Sequence, residues 1–117
     1  MKKLSLEGTI PLFPLNTDGI DPSGSRWHIY NITVQNFDDV VVPKPSHRGY
    51  MGGDCTQEML IENATVVLGV GMSVGSVPPN LGCNCIRNVT FRNVRMIRPL
   101  KGIYVKTNPG DNGNGLV

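Results

Sequence analysis

The sequence predicts an all-β protein built as a parallel β-helix of about three to four coils. Short β-rich segments recur along the chain, and each is followed by a second apolar run of strand length: DVVVPK, GMSVGSV and GIYVKT. The chain contains 14 Gly and 9 Pro, which interrupt nearly every run before an ordinary helix could form. Coils of this kind must stack, because no single coil buries its apolar face alone.

The repeat is clearest in three segments: HIYNITVQN at 28–36, MLIENATVV at 59–67 and CIRNVTFRN at 85–93. Their anchor residues Asn31, Asn63 and Asn88 are separated by 32 and 25 residues. Asparagine tolerates left-handed backbone, so we expect these three residues to occupy equivalent corners of successive coils. Each also begins an Asn-x-Thr glycosylation sequon, but one architectural rule explains all three positions together.

The charge distribution is uneven, although the net charge of this 117-residue chain is only +2. No acidic residue lies between Glu62 and Asp111, whereas that span contains Arg87, Arg92, Arg95, Arg98, Lys101 and Lys106. This pattern is compatible with a solvated basic face or with a surface for an anionic polymer. Nucleic acid is disfavoured, because the span has few aromatic side chains on which bases could stack.

Three cysteines, Cys55, Cys83 and Cys85, do not form a zinc-binding pattern. Cys83 and Cys85 are too close in sequence for an easy mutual disulfide, and the odd count suggests a free thiol or a partner outside the chain. The start, MKKLSLEG, has basic residues without a following apolar core. We therefore expect neither a cleavable signal peptide nor a membrane span in this sequence.

Two adjacent carboxylates, Asp38 and Asp39, immediately precede an apolar strand, residues 40–42. Such charges are costly there unless they are paired, hydrogen-bonded or partly hydrated. Clustering carboxylates separates their pKa values, so that one can keep a proton while another is ionised, as acid–base chemistry requires. Neighbours on a regular strand face opposite sides, so a shared cleft requires a bend at Phe37–Asp39. The alternative is that both residues cap a turn.

The motif NTDGID at 16–21 places Asp18 about one coil upstream of Asp38 and Asp39. The series NTDGID, the aspartate pair, GVGMSVGSV at 69–77 and GIYVKT at 102–107 resembles the polygalacturonase family of pectin-degrading glycoside hydrolases, family 28. The resemblance extends from about Asn16 to Thr107 and implies a right-handed, single-stranded parallel β-helix of the pectin-lyase type, here incomplete.

The resemblance implies catalytic roles for Asp18, Asp38 and Asp39 in an inverting hydrolysis. Asp38 would be the general acid, and Asp18 and Asp39 would hold and activate water. Lys106 matches the lysine of the family's arginine–x–lysine motif, which contacts a substrate carboxylate. Tyr104 stands in place of the arginine, where it could stack on a sugar ring or pack against the protein. Neither a cofactor nor a metal is implied.

The sequence departs from the family pattern at Val70, where the family has histidine, and at Phe37, where it has glycine. The resemblance implies polygalacturonase-like hydrolysis of galacturonosyl linkages in pectic polysaccharide, with rhamnogalacturonan or xylogalacturonan as the alternative substrate, because some relatives that cut those polymers also lack the histidine. We expect an N-terminal lead-in at 1–15, coils with the catalytic motifs at 16–107, and a tail or truncated coil at 108–117. The resemblance further implies secretion and a pectic substrate, without nucleic-acid or membrane partners. A non-catalytic remnant that binds acidic polysaccharide, and a purely structural fragment, are the alternatives.

Overall fold

A computed structural model describes residues 16–46, 55–77, 84–107 and 115–116. The expected lead-in at 1–15 and Cys83 lie outside the described residues. The protein is all-β, as predicted, and its strands are β1 (Ser25–Asn36), β2 (Thr56–Leu68), β3 (Met72–Val77), β4 (Asn84–Ile97), β5 (Ile103–Thr107) and β6 (Gly115–Leu116). No described segment forms a helix that is long and apolar enough to cross a membrane.

The strands form parallel sheets in which each repeat lies beside the next. One sheet has the order β1-β2-β4-β6, and a second pairs β3 with β5. In the larger sheet Ile29 is opposite Ile61, and Ile61 is opposite Phe91, so successive repeats are offset by 32 and 30 residues. Parallel neighbours need long connections, and the β3 and β5 segments supply part of them.

Left-handed corners bend the long strands at equivalent places. Asn31, Asn63 and Asn93 have φ values of 53°, 52° and 53°, and the Asn93 amide donates to Asn63 Oδ1 at 3.3 Å. The prediction that Asn88 is equivalent to Asn63 is therefore wrong. The register places Asn88 one position before Val89, the partner of Met59, which makes it the counterpart of Glu58.

A second row of left-handed residues explains the error. Arg26, Glu58 and Asn88 have φ values of 63°, 57° and 53°, so β4 has an asparagine at each of two corners. The sequence NVTFRNVRM offers two similar anchors five residues apart. Pairing along the whole of β2 and β4 decides between them, because a register shift would disrupt every interstrand contact.

The core lies on the inward face of these strands. Alternation is clear in β2, where Met59, Ile61, Ala64 and Val66 are buried and most intervening side chains are more exposed. Ile29 from β1 and Val40, Val41 and Met72 from the shorter segments complete the main cluster. Each fully buried aliphatic side chain contributes about 1.5–3 kcal/mol by removal from water. A smaller cluster of Val74, Val77 and Ile86 continues this core.

The shorter segments stack in the same order as the long strands. Ile20 bridges to Val41, Val40 N donates to Gly71 O at 2.8 Å, and Met72 N donates to Gly102 O at 3.1 Å. These bonds join four motif segments, NTDGID, DDVVV, GVGMSVGSV and GIYVKT, into adjacent layers. The fold thus brings together side chains that lie up to 88 residues apart, from Asp18 to Lys106.

One disulfide links successive layers at the beginning of the long strands. Cys55 and Cys85 are bonded across a sequence separation of 30 residues, with Cα atoms 4.7 Å apart. The separation matches the offset between β2 and β4, because Thr56 and Ile86 are register partners. The bond therefore reinforces the same register as the sheet.

Candidate active site

Backbone pairing brings NTDGID beside the aspartate pair. Gly19 N donates to Asp39 O at 2.9 Å, and Ile20 N donates to Val40 O at 2.8 Å. Asp18 consequently lies next to Asp38 and Asp39, and one carboxylate oxygen from each residue lies within 4.8 Å of the others. The three aspartates predicted from the sequence converge in the structure.

A bend at residues 37–38 allows the two neighbouring aspartates to share this cluster. Asp38 Oδ1 accepts a hydrogen bond from Asp39 N at 2.8 Å, and Asp38 Oδ2 accepts one from Asn16 N at 3.0 Å. Buried Asn36 supports the bend, because its Nδ2 donates to Thr17 O and to Asp39 O, both at 2.9 Å. The predicted departure from regular strand geometry is confirmed.

Asp39 is the buried member of the cluster, with only 1% of its surface exposed. Lys106 Nζ donates to Asp39 Oδ2 at 2.5 Å, and the Tyr104 hydroxyl donates to Asp39 Oδ1. Burial raises the pKa of Asp39, but the hydrogen bonds from Lys106 and Tyr104 outweigh it and hold the pKa below its ordinary value. Asp39 is therefore ionised at neutral pH, and each of its carboxylate oxygens accepts a hydrogen bond.

Asp18 has the opposite shift. Its pKa is raised, first by burial and then by the negative charges of Asp21 and Asp38. The nearby charge of Lys44 opposes this effect only in part. Two carboxyl groups of one cluster thus have pKa values displaced in opposite directions, because only Asp39 is held by hydrogen bonds from Lys106 and Tyr104.

The side chain of Tyr104 is integrated into the cluster. It lies opposite buried Ser73 in the β3–β5 pairing, and its pKa is raised by burial and by the hydrogen bond to Asp39. The ring of Tyr104 also makes a cation–π contact, because Lys101 Nζ lies 4.5 Å from the ring centroid. Tyr104 is therefore a hydrogen-bond donor and a platform for Lys101, a combination that neither sequence interpretation of this residue included.

Gly75 explains how Lys106 reaches Asp39. Its φ is +113°, and a Cβ atom at this position would lie 2.2 Å from the carbonyl oxygen of Lys106. Only glycine allows β3 to approach this part of β5 so closely. Gly75 therefore allows the close packing of β3 against β5 at Lys106, whose ammonium group contacts Asp39.

A mainly apolar pocket of about 480 Å³ adjoins Asp38. Three successive corners form it, and its lining residues are Phe37, Asp38, Leu68, Gly69, Val70, Arg98, Pro99 and Leu100. Val70 lies here in the position where the resembled family has histidine. The pocket therefore offers a mainly nonpolar wall next to Asp38, with Arg98 among the residues that line it.

Two supporting residues could not be singled out from the sequence. Asn36 precedes the aspartate pair and looks like an ordinary turn residue, and Lys101 looks like one more exposed cation. Their roles depend on contacts made across layers, for which sequence spacing alone provides no signal. The carboxylates of Asp18, Asp38 and Asp39 could geometrically hold a cation, although Lys106 already supplies a positive charge to Asp39.

Comparisons with known proteins identify the family of this chain. The sequence model described as Glycosyl hydrolases family 28 matches residues 6–115. Probable endo-xylogalacturonan hydrolases A from Aspergillus flavus and Aspergillus oryzae are each 31% identical to this chain over 104 residues, which cover 88% of it and 23% of the relative. The protein of the same description from Aspergillus niger is 31% identical over 107 residues, covering 89% of this chain and 24% of the relative.

The chain therefore spans about a quarter of the length of the curated relatives that it matches. No solved structure matches it significantly. The family match covers nearly the whole chain and includes every motif that contributes to the cluster. This chain belongs to glycosyl hydrolases family 28.

Proposed function

We propose that this chain carries the catalytic cluster of a pectic glycoside hydrolase that cleaves galacturonosyl linkages with inversion. The observation that carries the proposal is the convergence of Asp18, Asp38 and Asp39, with Lys106 and Tyr104 donating hydrogen bonds to Asp39. A structural turn would need neither three carboxylates in one place nor a half-buried ammonium beside one of them.

In the proposed reaction, Asp38 donates its proton to the glycosidic oxygen as the bond to the anomeric carbon breaks. Asp18 and Asp39 hold a water molecule, and one of them accepts its proton as the water oxygen bonds to the anomeric carbon. The electron pair of the broken bond remains on the departing sugar, which leaves as an alcohol. Ionised Asp39 also stabilises the positive charge that develops on the sugar ring.

The stereochemical outcome needs a direct test. Inversion comes from the family resemblance, and inverting pairs usually stand about 6.5–9.5 Å apart. The nearest oxygens of this cluster lie within 4.8 Å, closer to the spacing of about 5–5.5 Å in retaining enzymes. Proton NMR of the first anomer released distinguishes the two outcomes, since inversion and retention give opposite configurations at the new reducing end.

Xylogalacturonan is the second candidate substrate, with rhamnogalacturonan as a further alternative. Two observations favour xylogalacturonan: the relatives in Aspergillus are described as probable endo-xylogalacturonan hydrolases, and Val70 and Leu100 give the pocket beside Asp38 an apolar wall. A neutral sugar branch fits such a wall better than a charged uronate does.

We also propose that the described strands are a segment of a right-handed parallel β-helix. The parallel order β1-β2-β4-β6 and the pairing of β6 with the start of β4 support this arrangement. Leu100, Ile103 and Val105 are 75%, 54% and 55% exposed, as expected where a further coil would stack. The organisation into lead-in, coils and tail, and secretion of the protein, are parts of the same proposal.

The test is release of reducing ends from homogalacturonan, rhamnogalacturonan and xylogalacturonan. We expect release from at least one polymer, and a loss of about 100-fold or more in Asp38→Asn, the scale of general acid–base catalysis. Glu58→Gln removes an exposed carboxylate on β2, outside the cluster, and provides the matched control.

Equal rates in Asp38→Asn and the unmodified chain would overturn the assigned role of Asp38. Binding of polymer without any release of reducing ends would favour the alternative of a non-catalytic protein that binds acidic polysaccharide. Absence of both binding and hydrolysis would leave the structural-fragment alternative.

A further inference from the structure

We propose that Lys101 supplies the ammonium group that binds a uronate carboxylate beside the catalytic aspartates. The inference rests on the proposed function, because it assigns the cation that would recognise the acidic substrate at the same site. It differs from the assignment drawn from the family pattern, in which Lys106 makes this contact.

The first step concerns Lys106, whose charge is already used within the protein. Its Nζ is 2.5 Å from Oδ2 of Asp39, and the Asp39 side chain is only 2% exposed. Moving this ammonium to a substrate would remove the cation that compensates a buried carboxylate, which is strongly unfavourable. Lys106 therefore stabilises Asp39 and has little charge available for a second anion.

The second step concerns Tyr104, which replaces the guanidinium group of the family motif. Its hydroxyl donates to Asp39, so it is also committed to that carboxylate. Tyr104 has no positive charge with which to attract a uronate. The site consequently has three carboxylates and one compensated ammonium, a balance that repels an anionic substrate unless another cation lies nearby.

Lys44 acts on Asp18 and Arg98 lines the pocket beside Asp38, but Lys101 is the cation whose ammonium group lies over Tyr104, the residue that donates to Asp39. Lys101 Nζ lies 4.5 Å from the Tyr104 ring centroid, so it stands beside the residue that contacts Asp39. Its backbone N donates to Val70 O at 2.6 Å, which anchors it at the corner that lines the pocket. Lys101 is exposed, and no ion pair joins it to a carboxylate within the part of the chain that the structure describes.

These contacts give Lys101 the properties of a substrate-binding cation. The Tyr104 ring restricts the position of the ammonium without neutralising it, because a cation over an aromatic face keeps its charge. The remaining N–H groups can donate to a carboxylate in solvent. An exposed pair of this kind contributes modestly and weakens with salt, so we expect a several-fold effect on affinity.

The experiment measures binding of a galacturonic acid oligomer and of its fully methyl-esterified form at low ionic strength by titration calorimetry. All proteins carry Asp38→Asn, which prevents turnover during the measurement. We expect Lys101→Met to raise the Kd for the acidic oligomer about fivefold and to leave the Kd for the ester unchanged. Lys101→Arg should retain most of the affinity for the acidic oligomer.

The matched control is Arg87→Met, which also removes one positive charge. Arg87 lies near the start of β4, whereas Lys101 follows the end of that strand, and Arg87 Nε donates to Gln57 Oε1. This variant should leave both affinities unchanged. The inference is overturned if Lys101→Met binds the acidic oligomer as tightly as the reference, if Lys101→Met weakens acid and ester equally, or if the reference protein binds no acidic oligomer. If the chain without the Asp38→Asn substitution releases no reducing ends while Lys101-dependent binding is intact, only the proposed function fails.

Discussion

Replacing Lys106 by methionine tests whether its main role is to compensate buried Asp39. The substitution keeps a long side chain but removes the ammonium that lies 2.5 Å from the carboxylate. Breaking a buried pair by removing one partner typically costs about 3–5 kcal/mol. The Lys106 side chain is 31% exposed, so water can replace part of the lost interaction, and we expect about 3 kcal/mol at pH 7.

The pH dependence provides the sharper test. The pKa of Asp39 is lowered in the native chain, so the stabilisation by the pair is present above the ordinary value of 3.8 and is lost as pH falls through the lower native value. Without Lys106 the effect of burial is no longer offset by this ammonium, and the variant gains stability when Asp39 becomes protonated. The difference between the two proteins should therefore shrink as pH falls from 7 to 3.

The assay is urea unfolding of the unmodified chain, Lys106→Met and the control Arg87→Met at pH 7 and pH 3. The difference in the free energy of unfolding between Lys106→Met and the unmodified chain should be smaller at pH 3 than at pH 7, whereas Arg87→Met should differ little at either pH. A penalty of the same size at both pH values would refute the reasoning, because it would show that lost packing, and not charge, causes the effect.

Three further predictions concern the scaffold and the cluster. Replacing Cys55 and Cys85 by serine should lower the free energy of unfolding by about 3.6 kcal/mol, the loop-entropy value for a separation of 30 residues, with Cys55→Ser alone having most of the effect. Glu58→Asn should raise the free energy of unfolding by about 0.5–1 kcal/mol and with it the melting temperature, because asparagine tolerates the φ of 57° at this position, as Asn88 does in the next strand. A lower melting temperature would contradict the corner assignment. Asp18→Asn should stabilise the chain at pH 7 but not below pH 3.8, since the raised pKa of Asp18 means that folding favours its protonated form, and denaturation at the two pH values checks this.

Much of the site could be predicted because its residues lie in short motifs. Asp38 and Asp39 stand before an apolar run, where unpaired carboxylates are costly, and Asp18 lies 20 residues upstream, roughly the length of a short coil. Their convergence follows from stacking of successive layers, which the repeat spacing already suggested. The bend at Phe37 was predictable for the same reason, because two neighbouring side chains cannot otherwise face one cleft.

The partners of these aspartates were less predictable. The family pattern assigns Lys106 to the substrate, whereas the pairing of its ammonium with Asp39 is visible only in the folded chain. Tyr104 was assigned to stacking or packing, whereas its hydroxyl donates to the same carboxylate. These contacts depend on which atoms face each other across 65 and 67 residues of chain, and residue type alone does not determine that.

By itself, the sequence determined the class of structure, an all-β chain of parallel layers, and the three carboxylates that meet in it. Those features depend on hydrophobic alternation, turn residues and repeat length, which are local properties of the chain. Only the tertiary structure decided the register of β4, in which Asn93 rather than Asn88 stacks on Asn63. It also decided that Lys106 pairs with Asp39 and that Lys101 lies over Tyr104, because interstrand pairing along whole strands sets these distances, and no short segment contains that information.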